Sequence, residues 1–238
     1  MNFIDYHKKF KQILNIKENP NKYELELFKK TQKYVRFISY IPGLKLVGIC
    51  NSLSMYATKE KGSDIDLFII TEKNKLWFVR IFATFIFQIL GVRRYGNKIK
   101  ERLCLSFFIT ENAMDFSKIA IENDIYLFYW IYYLKPILNK DNTYELFIKA
   151  NKSMGIDYSS LHEDNLKYIK IQKCGNIEKI FSPILDLFNN IFKRIFLART
   201  LNKKKNLSNS SGIIISDDML KFHDNDKRKE IREKIYNL

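Results

Sequence analysis

Cysteine and histidine are scarce in this chain. The three cysteines, Cys50, Cys104 and Cys174, stand far apart and form no C-x-x-C pair. That excludes a zinc ribbon and a disulfide framework. The histidines His7, His162 and His223 are equally scattered, and no H-E-x-x-H occurs, so a zincin-type metal site is excluded as well. Long hydrophobic runs are also missing. The longest apolar stretch, Leu76 to Leu90, carries Arg80 and Gln88 and falls short of the ~20 residues that span a bilayer. It reads as a buried helix, and integral membrane insertion is not expected. The start, Met1 to Phe10, is polar and charged and has no secretory-signal pattern. These absences together point to a reducing, cytoplasmic setting.

Acidic residues are the minority charge. Against 26 Asp and Glu stand 41 Lys and Arg, a formal net charge of +15. Such a surface attracts phosphate-bearing partners: nucleotides, nucleic acids or anionic lipid. The joint abundance of Lys, Asn and Ile also fits an AT-rich coding sequence, so the charge does not choose among these partners. Hydrophobic residues make up 46% of the 238 positions. That suffices for a buried core in one or two domains.

Hydrophobic periodicity orders the chain. A short helical lead ends at Asn19-Pro20. From Tyr23 apolar residues recur at helical spacing until Pro42-Gly43 stops them. Leu44 to Cys50 reads as a buried strand, Asn51 to Met55 as a tight turn and helix start, and Asp64 to Thr71 as a second strand. The Leu76–Leu90 helix, a basic loop with Arg93, Arg94, Lys98 and Lys100, and a third strand over Arg102 to Thr110 follow. Beyond residue 115 the reading is helical. It has an aromatic run over Ile125 to Tyr133, a helix over Tyr144 to Lys152, an amphipathic helix over Ile177 to Leu201, a basic linker over Leu201 to Gly212 and a charged C-terminal helix. The expected fold class is α+β: a small mixed β-sheet flanked by helices in residues 1–115, then a mostly helical region over 116–238.

The segment Gly48 to Thr71 carries the chemistry. A strand leads into the polar turn Asn51-Ser52. About a dozen residues later come Asp64-Ile65-Asp66 and a second strand. Strand side chains alternate with period two, so Asp64 and Asp66 face the same way. Two neighbouring carboxylates repel unless a cation lies between them. Mg²⁺, a hard ion that binds through one or two carboxylates plus substrate phosphates, suits such a pair. Asn51 tolerates a left-handed backbone at the turn, and the Ser52 hydroxyl and nearby N–H groups can face a phosphate.

These residues resemble the signature of the polymerase β-type nucleotidyltransferase superfamily: a turn ending in Ser, a spacer, then D-x-D on a strand. More narrowly, Ser52-Leu53-Ser54-Met55, Ser63 to Leu67 and Ile69 to Thr71 are similar to uncharacterised prokaryotic nucleotidyltransferase-domain proteins. Leu76-Trp77 with Arg80, Leu103 to Leu105, Ala150-Asn151 and Phe222-His223 fit less specifically. The resemblance implies a nucleotidyltransferase core and transfer of a nucleoside monophosphate from a nucleoside triphosphate to an acceptor hydroxyl, with release of pyrophosphate. Asp64 and Asp66 would be the catalytic, metal-holding pair for Mg²⁺ (or Mn²⁺). Asn51, Ser52, Lys61 and Arg80 are the candidate substrate-binding residues.

Two departures stand out. The family's Gly-Ser turn is Asn51-Ser52 here. A third acid, expected on a later strand, has no counterpart in the middle of Arg102 to Thr110, where only Cys104 and Ser106 are polar; Glu101 at its edge is the nearest acid. Arg80, a cation inside an apolar helix, needs either a carboxylate or a phosphate as partner. The expected function is therefore a metal-dependent nucleotidyltransferase whose acceptor is a small molecule, a protein or an RNA. The alternatives are a catalytically degenerate nucleotide-binding or partner protein on the same fold, and a peripheral membrane or assembly module built on the aromatic run and the basic helix.

Overall fold

The computed structural model describes residues 3–59, 62–154, 166–172, 182–205, 212–222 and 226–236. Helices α1 (His7–Leu14) and α2 (Lys22–Ile38) lead into strand β1 (Leu44–Ile49), the single turn α3 (Asn51–Ser54) and strand β2 (Ile65–Thr71). Helix α4 (Leu76–Ile89) crosses over to strand β3 (Leu103–Thr110). Then come α5 (Ile125–Tyr132), β4 (Lys135–Asn139), α6 (Thr143–Ala150), α7 (Ser182–Lys205), the strands β5 (Ile213–Ile215) and β6 (Met219–Phe222), and α8 (Arg228–Tyr236).

The strands form one mixed six-stranded sheet in the order β4-β1-β2-β3-β6-β5. Only β2 and β3 run parallel, as a helical crossover between neighbouring strands requires. The α+β class expected from the sequence is what the chain adopts, a mixed sheet flanked by helices, with α5 to α8 among the described residues after 115. The sheet itself is larger than the sequence reading, which has no strand after Thr110. β4, β5 and β6 all come from the later half and hydrogen-bond to the earlier strands or to each other. β4 contains Pro136 and lies at a sheet edge, the position where a missing N–H is tolerated.

Alternation along the strands, shifted at β-bulges, splits the sheet's side chains into two cores. Leu46, Phe68, Phe107 and Met219 point to one face, where they meet Phe10 of α1 and the apolar sides of α5, α6 and α8. Their neighbours Val47, Ile69, Phe108 and Leu220 point to the other face and meet α2, α4 and α7. Each large side chain buried this way contributes roughly 1.5–3 kcal/mol. The aromatic run of α5 is core: Phe128, Tyr129 and Trp130 are buried on the first face. Among the described residues no helix is long and apolar enough to cross a membrane.

Three tethers hold the elements around the early loops. Asn21 and Glu24 form a reciprocal capping box at the start of α2, and the second oxygen of buried Glu24 accepts from the Thr58 hydroxyl at 2.7 Å. The segment that leads to the D-x-D is thus fixed to α2. Helix α4 lacks a cap of its own. Asn189 of α7 supplies one, accepting from the Trp77 and Phe78 N–H groups at 2.9 and 3.1 Å. Gly48, in mid-strand, faces β4 so closely that a Cβ there would lie 2.9 Å from Leu134.

Lys135, at the start of β4, is fully buried, with its ammonium 4.5 Å from the centre of the Tyr56 ring. Burial lowers its pKa to about 7, whereas an unfolded lysine titrates near ~10.4. The unfolded chain then holds this proton more tightly. The stability contributed here is greatest above the unfolded pKa and is lost as pH falls toward the folded one. Lys135→Met removes this titration, so its stability relative to the wild type should be highest near pH 7 and fall as pH rises. In urea melts across pH the fall should level off by pH ~10.4. A relative stability that is constant with pH would rule out this origin.

Candidate functional site

β1 ends at Ile49, and the chain turns at Asn51 with φ +57°. This left-handed conformation costs a typical L-residue roughly 1–2 kcal/mol, and Asn is one of the few that adopt it. Asn at this turn is thereby accounted for by the backbone, and its side chain adds something Gly could not. The carboxamide oxygen accepts from the indole N–H of Trp130 at 2.8 Å, and the carboxamide nitrogen donates to Asp66 Oδ2 at 2.9 Å. Indole N–H only donates and an ionised carboxylate only accepts, so these neighbours fix which way the amide points.

Asp66 is on β2, and Asp64 immediately precedes that strand. Register pairs Asp66 with Cys104 on β3. One ligand atom each from Asp64, Asp66 and Cys104 can be chosen so that all lie within 4.8 Å of one another. The place where the family resemblance implies a third acid is therefore taken by a thiol. Burial, then the charge of Asp66, pushes the Cys104 pKa up to about 12, so it stays protonated. Burial and the neighbouring Asp66 also raise the pKa of Asp64, while Arg94 opposes the shift. The Arg94 guanidinium donates to Asp64 Oδ2 at 2.7 Å. Glu101 does not join the cluster. Its carboxylate faces Lys30 at 3.3 Å and Lys100 at 3.8 Å.

The donor chemistry fits a divalent cation held by two carboxylates, with water and phosphate oxygens completing the shell. A protonated thiol adds nothing for a hard ion. One atom each from the two carboxylates and the thiol are close enough together to coordinate a metal ion, and of these the carboxylates are the donors a hard ion would use.

Next to the acids lies a cavity of about 400 Å³, within the ~300–1,000 Å³ range of small-molecule sites. Asn51 belongs to both places, since it holds Asp66 and lines the cavity with Ser52 and Ser63. Trp130, Tyr126 and Phe107 form an aromatic side, and Lys59, Lys221, Lys227 and Arg228 bring positive charge. Arg228 is already engaged: it binds Asp226 through two nitrogens at 2.9 and 2.7 Å, Asp124 at 3.2 Å and the Ile119 carbonyl at 2.8 Å. Lys221 is different. It is 8% exposed, and burial, with Arg228 nearby, lowers its pKa to about 8.

Of the residues singled out in the sequence, Asn51, Ser52, Asp64 and Asp66 are brought to this end of the sheet. Arg80 is placed elsewhere. Its guanidinium is packed at the other face against Phe222, Phe108 and Trp77, with ring centres 4.5, 5.7 and 5.8 Å away. Its Nη1 has no hydrogen-bond acceptor among the described residues. Lys61 and His223 lie outside the described residues. Asn151 is a packing residue, fully buried and bonded to the backbone of Phe116, Met114 and Phe147. The sequence reading placed Arg94 in a basic loop and gave Lys221 no role. The hydrogen-bonded return of the basic loop to β3, Arg94 N–H to the Leu103 carbonyl at 2.9 Å, is what delivers Arg94. Comparison of the chain with protein-family models, curated proteins and solved structures returned no match.

The Asn51 bridge makes a test of backbone against side chain. Asn51→Gly and Asn51→Ala both strand the Trp130 N–H, at about 1–3 kcal/mol. Only Ala adds the left-handed penalty, so it should be less stable than Gly by about 1 kcal/mol in urea denaturation. Ala equal to or better than Gly would show that φ at this turn does not select the residue.

Proposed function

We propose that this chain is a metal-dependent nucleotidyltransferase of the polymerase β type, moving a nucleoside monophosphate from a nucleoside triphosphate to an acceptor hydroxyl and releasing pyrophosphate. The observation that carries the reading is the convergence of Asp64 and Asp66 at one end of the sheet, beside a cavity with a basic wall. Asp64 and Asp66 are the residues that would hold Mg²⁺ or Mn²⁺. When bound, the ion supplies charge neutralisation to the triphosphate. Asn51 keeps the Asp66 carboxylate in one orientation through its 2.9 Å bond. Arg94 balances Asp64 at 2.7 Å and supplies a cation that can meet phosphate oxygen instead. The Ser52 hydroxyl is on the cavity wall, where it can donate to a phosphate. In this reading, catalysis comes from positioning and electrostatics.

A second reading rests on Cys104. A thiol where a third carboxylate is expected leaves no evident base for the acceptor hydroxyl, which favours a protein that binds nucleotide without transferring it.

Pyrophosphate release decides between the two. With each of the four nucleoside triphosphates, Mg²⁺ and cell extract as acceptor source, the wild type should turn over. Asp64→Asn and Asp66→Asn should each lower the rate on the order of 10²–10³-fold or more. Turnover that survives both substitutions would overturn the transferase reading. Nucleotide binding without turnover in the wild type would select the second.

A further inference from the structure

We infer that the cavity beside Asn51 is an organic-phosphate site in its own right, with the buried ammonium of Lys221 as its anchor and the aromatic side around Trp130 as the seat of the ligand's ring or apolar part. The inference rests on the cavity alone and holds whether or not the acid pair transfers a nucleotide.

Lys221 is on β6, beside Phe107 in the register of the sheet, and its ammonium is 5.6 Å from the centre of that ring. The side chain is 8% exposed, and it lines the cavity. Among the described residues it makes no hydrogen bond or ion pair. Lysine is rarely buried so far without a counter-charge, because desolvating an ammonium is expensive. Among the described residues the one carboxylate on the cavity wall, Asp226, is bound by Arg228 through two nitrogens. Lys221 therefore stands as a positive charge on the wall of the cavity.

The remaining walls indicate the ligand's chemistry. Ser52 offers a hydroxyl, and the exposed Lys59 and Lys227 add charge at the wall. Phosphate suits this combination, since a lysine acts on it as a point charge and hydroxyls donate to its remaining oxygens. Opposite these groups, Trp130, Phe107 and Leu127 present apolar surface, which an inorganic anion would leave uncovered. A nucleotide or a sugar phosphate answers both walls.

The test is ligand binding without metal. Trp130 lines the cavity, while the other tryptophan, Trp77, is buried in the opposite core. Intrinsic fluorescence thus reports on the cavity. Full-length protein in EDTA is titrated with ATP, with ribose 5-phosphate and with inorganic pyrophosphate. We expect saturable quenching by ATP or ribose 5-phosphate, competed by excess inorganic phosphate. The two titrants separate a nucleotide site from a sugar-phosphate site. Lys221→Met should weaken binding about ten- to a hundredfold, and Lys221→Arg should retain most of it. Folding of each variant is checked by its thermal melt. If Lys221→Met fails to fold, phosphate competition on the wild type and retention by Lys221→Arg carry the test. No quenching by any titrant, binding indifferent to inorganic phosphate, or a folded Lys221→Met that binds like wild type would each overturn the inference. Loss of binding in EDTA with recovery in Mg²⁺ would also overturn it while leaving the transferase reading in place.

Discussion

The Asn51 carboxamide is the joint on which the site depends. Trp130 offers only a donor and Asp66 only acceptors, and the carboxamide presents its oxygen to the first and its nitrogen to the second. Asn51 bridges them at 2.8 and 2.9 Å, and it can do so only from a left-handed turn directly after β1. The consequences run outward from there. Helix α5 must be apolar on most sides, because it carries Trp130 into a core of Phe68, Phe107 and Phe116. Its first turn is capped by Asp124, which also receives Arg228 from α8. The C-terminal helix is thus tied to the same joint.

Charge balance at the site follows from the same geometry. Burial, and then the neighbouring Asp66 carboxylate, raises the cost of ionising Asp64. In a chain of net charge +15, the nearest relief is a cation. Arg94 supplies one, and a divalent ion would supply a stronger one. Cys104 in register with Asp66 leaves the cluster with two negative charges rather than three. That eases repulsion without an ion, and it removes the group that would take a proton from an acceptor. The cavity on the other side of Asn51 has the reverse balance, with Lys221 buried and uncompensated.

Much of this was legible in the sequence where local pattern and tertiary structure agree. β1, β2 and β3 are continuous apolar runs because both faces of the sheet are covered, and D-x-D at the head of β2 states its own geometry. β4 was hidden by its lysine and proline and by its position straight after the aromatic helix. The β5–β6 hairpin did leave a signal, Ile213 to Ile215 and Met219 to Phe222 around Ser216-Asp217-Asp218, that was read as loop. Arg94 and Lys221 were not legible, because what matters about them is which distant residue they meet. Arg80 was read correctly as a cation needing a partner. Its aromatic cage comes from α4, β3 and β6 together, and no single segment foretells it.

The most direct test of the site is a crystal structure grown with Mn²⁺ and a non-hydrolysable nucleoside triphosphate, with the metal located by its anomalous scattering. The account predicts an anomalous peak between the carboxylates of Asp64 and Asp66, phosphate oxygens on the same ion, and Asp66 still held by Asn51. A nucleotide bound away from both carboxylates, with the Asp64–Arg94 pair intact and no metal between the acids, would contradict it.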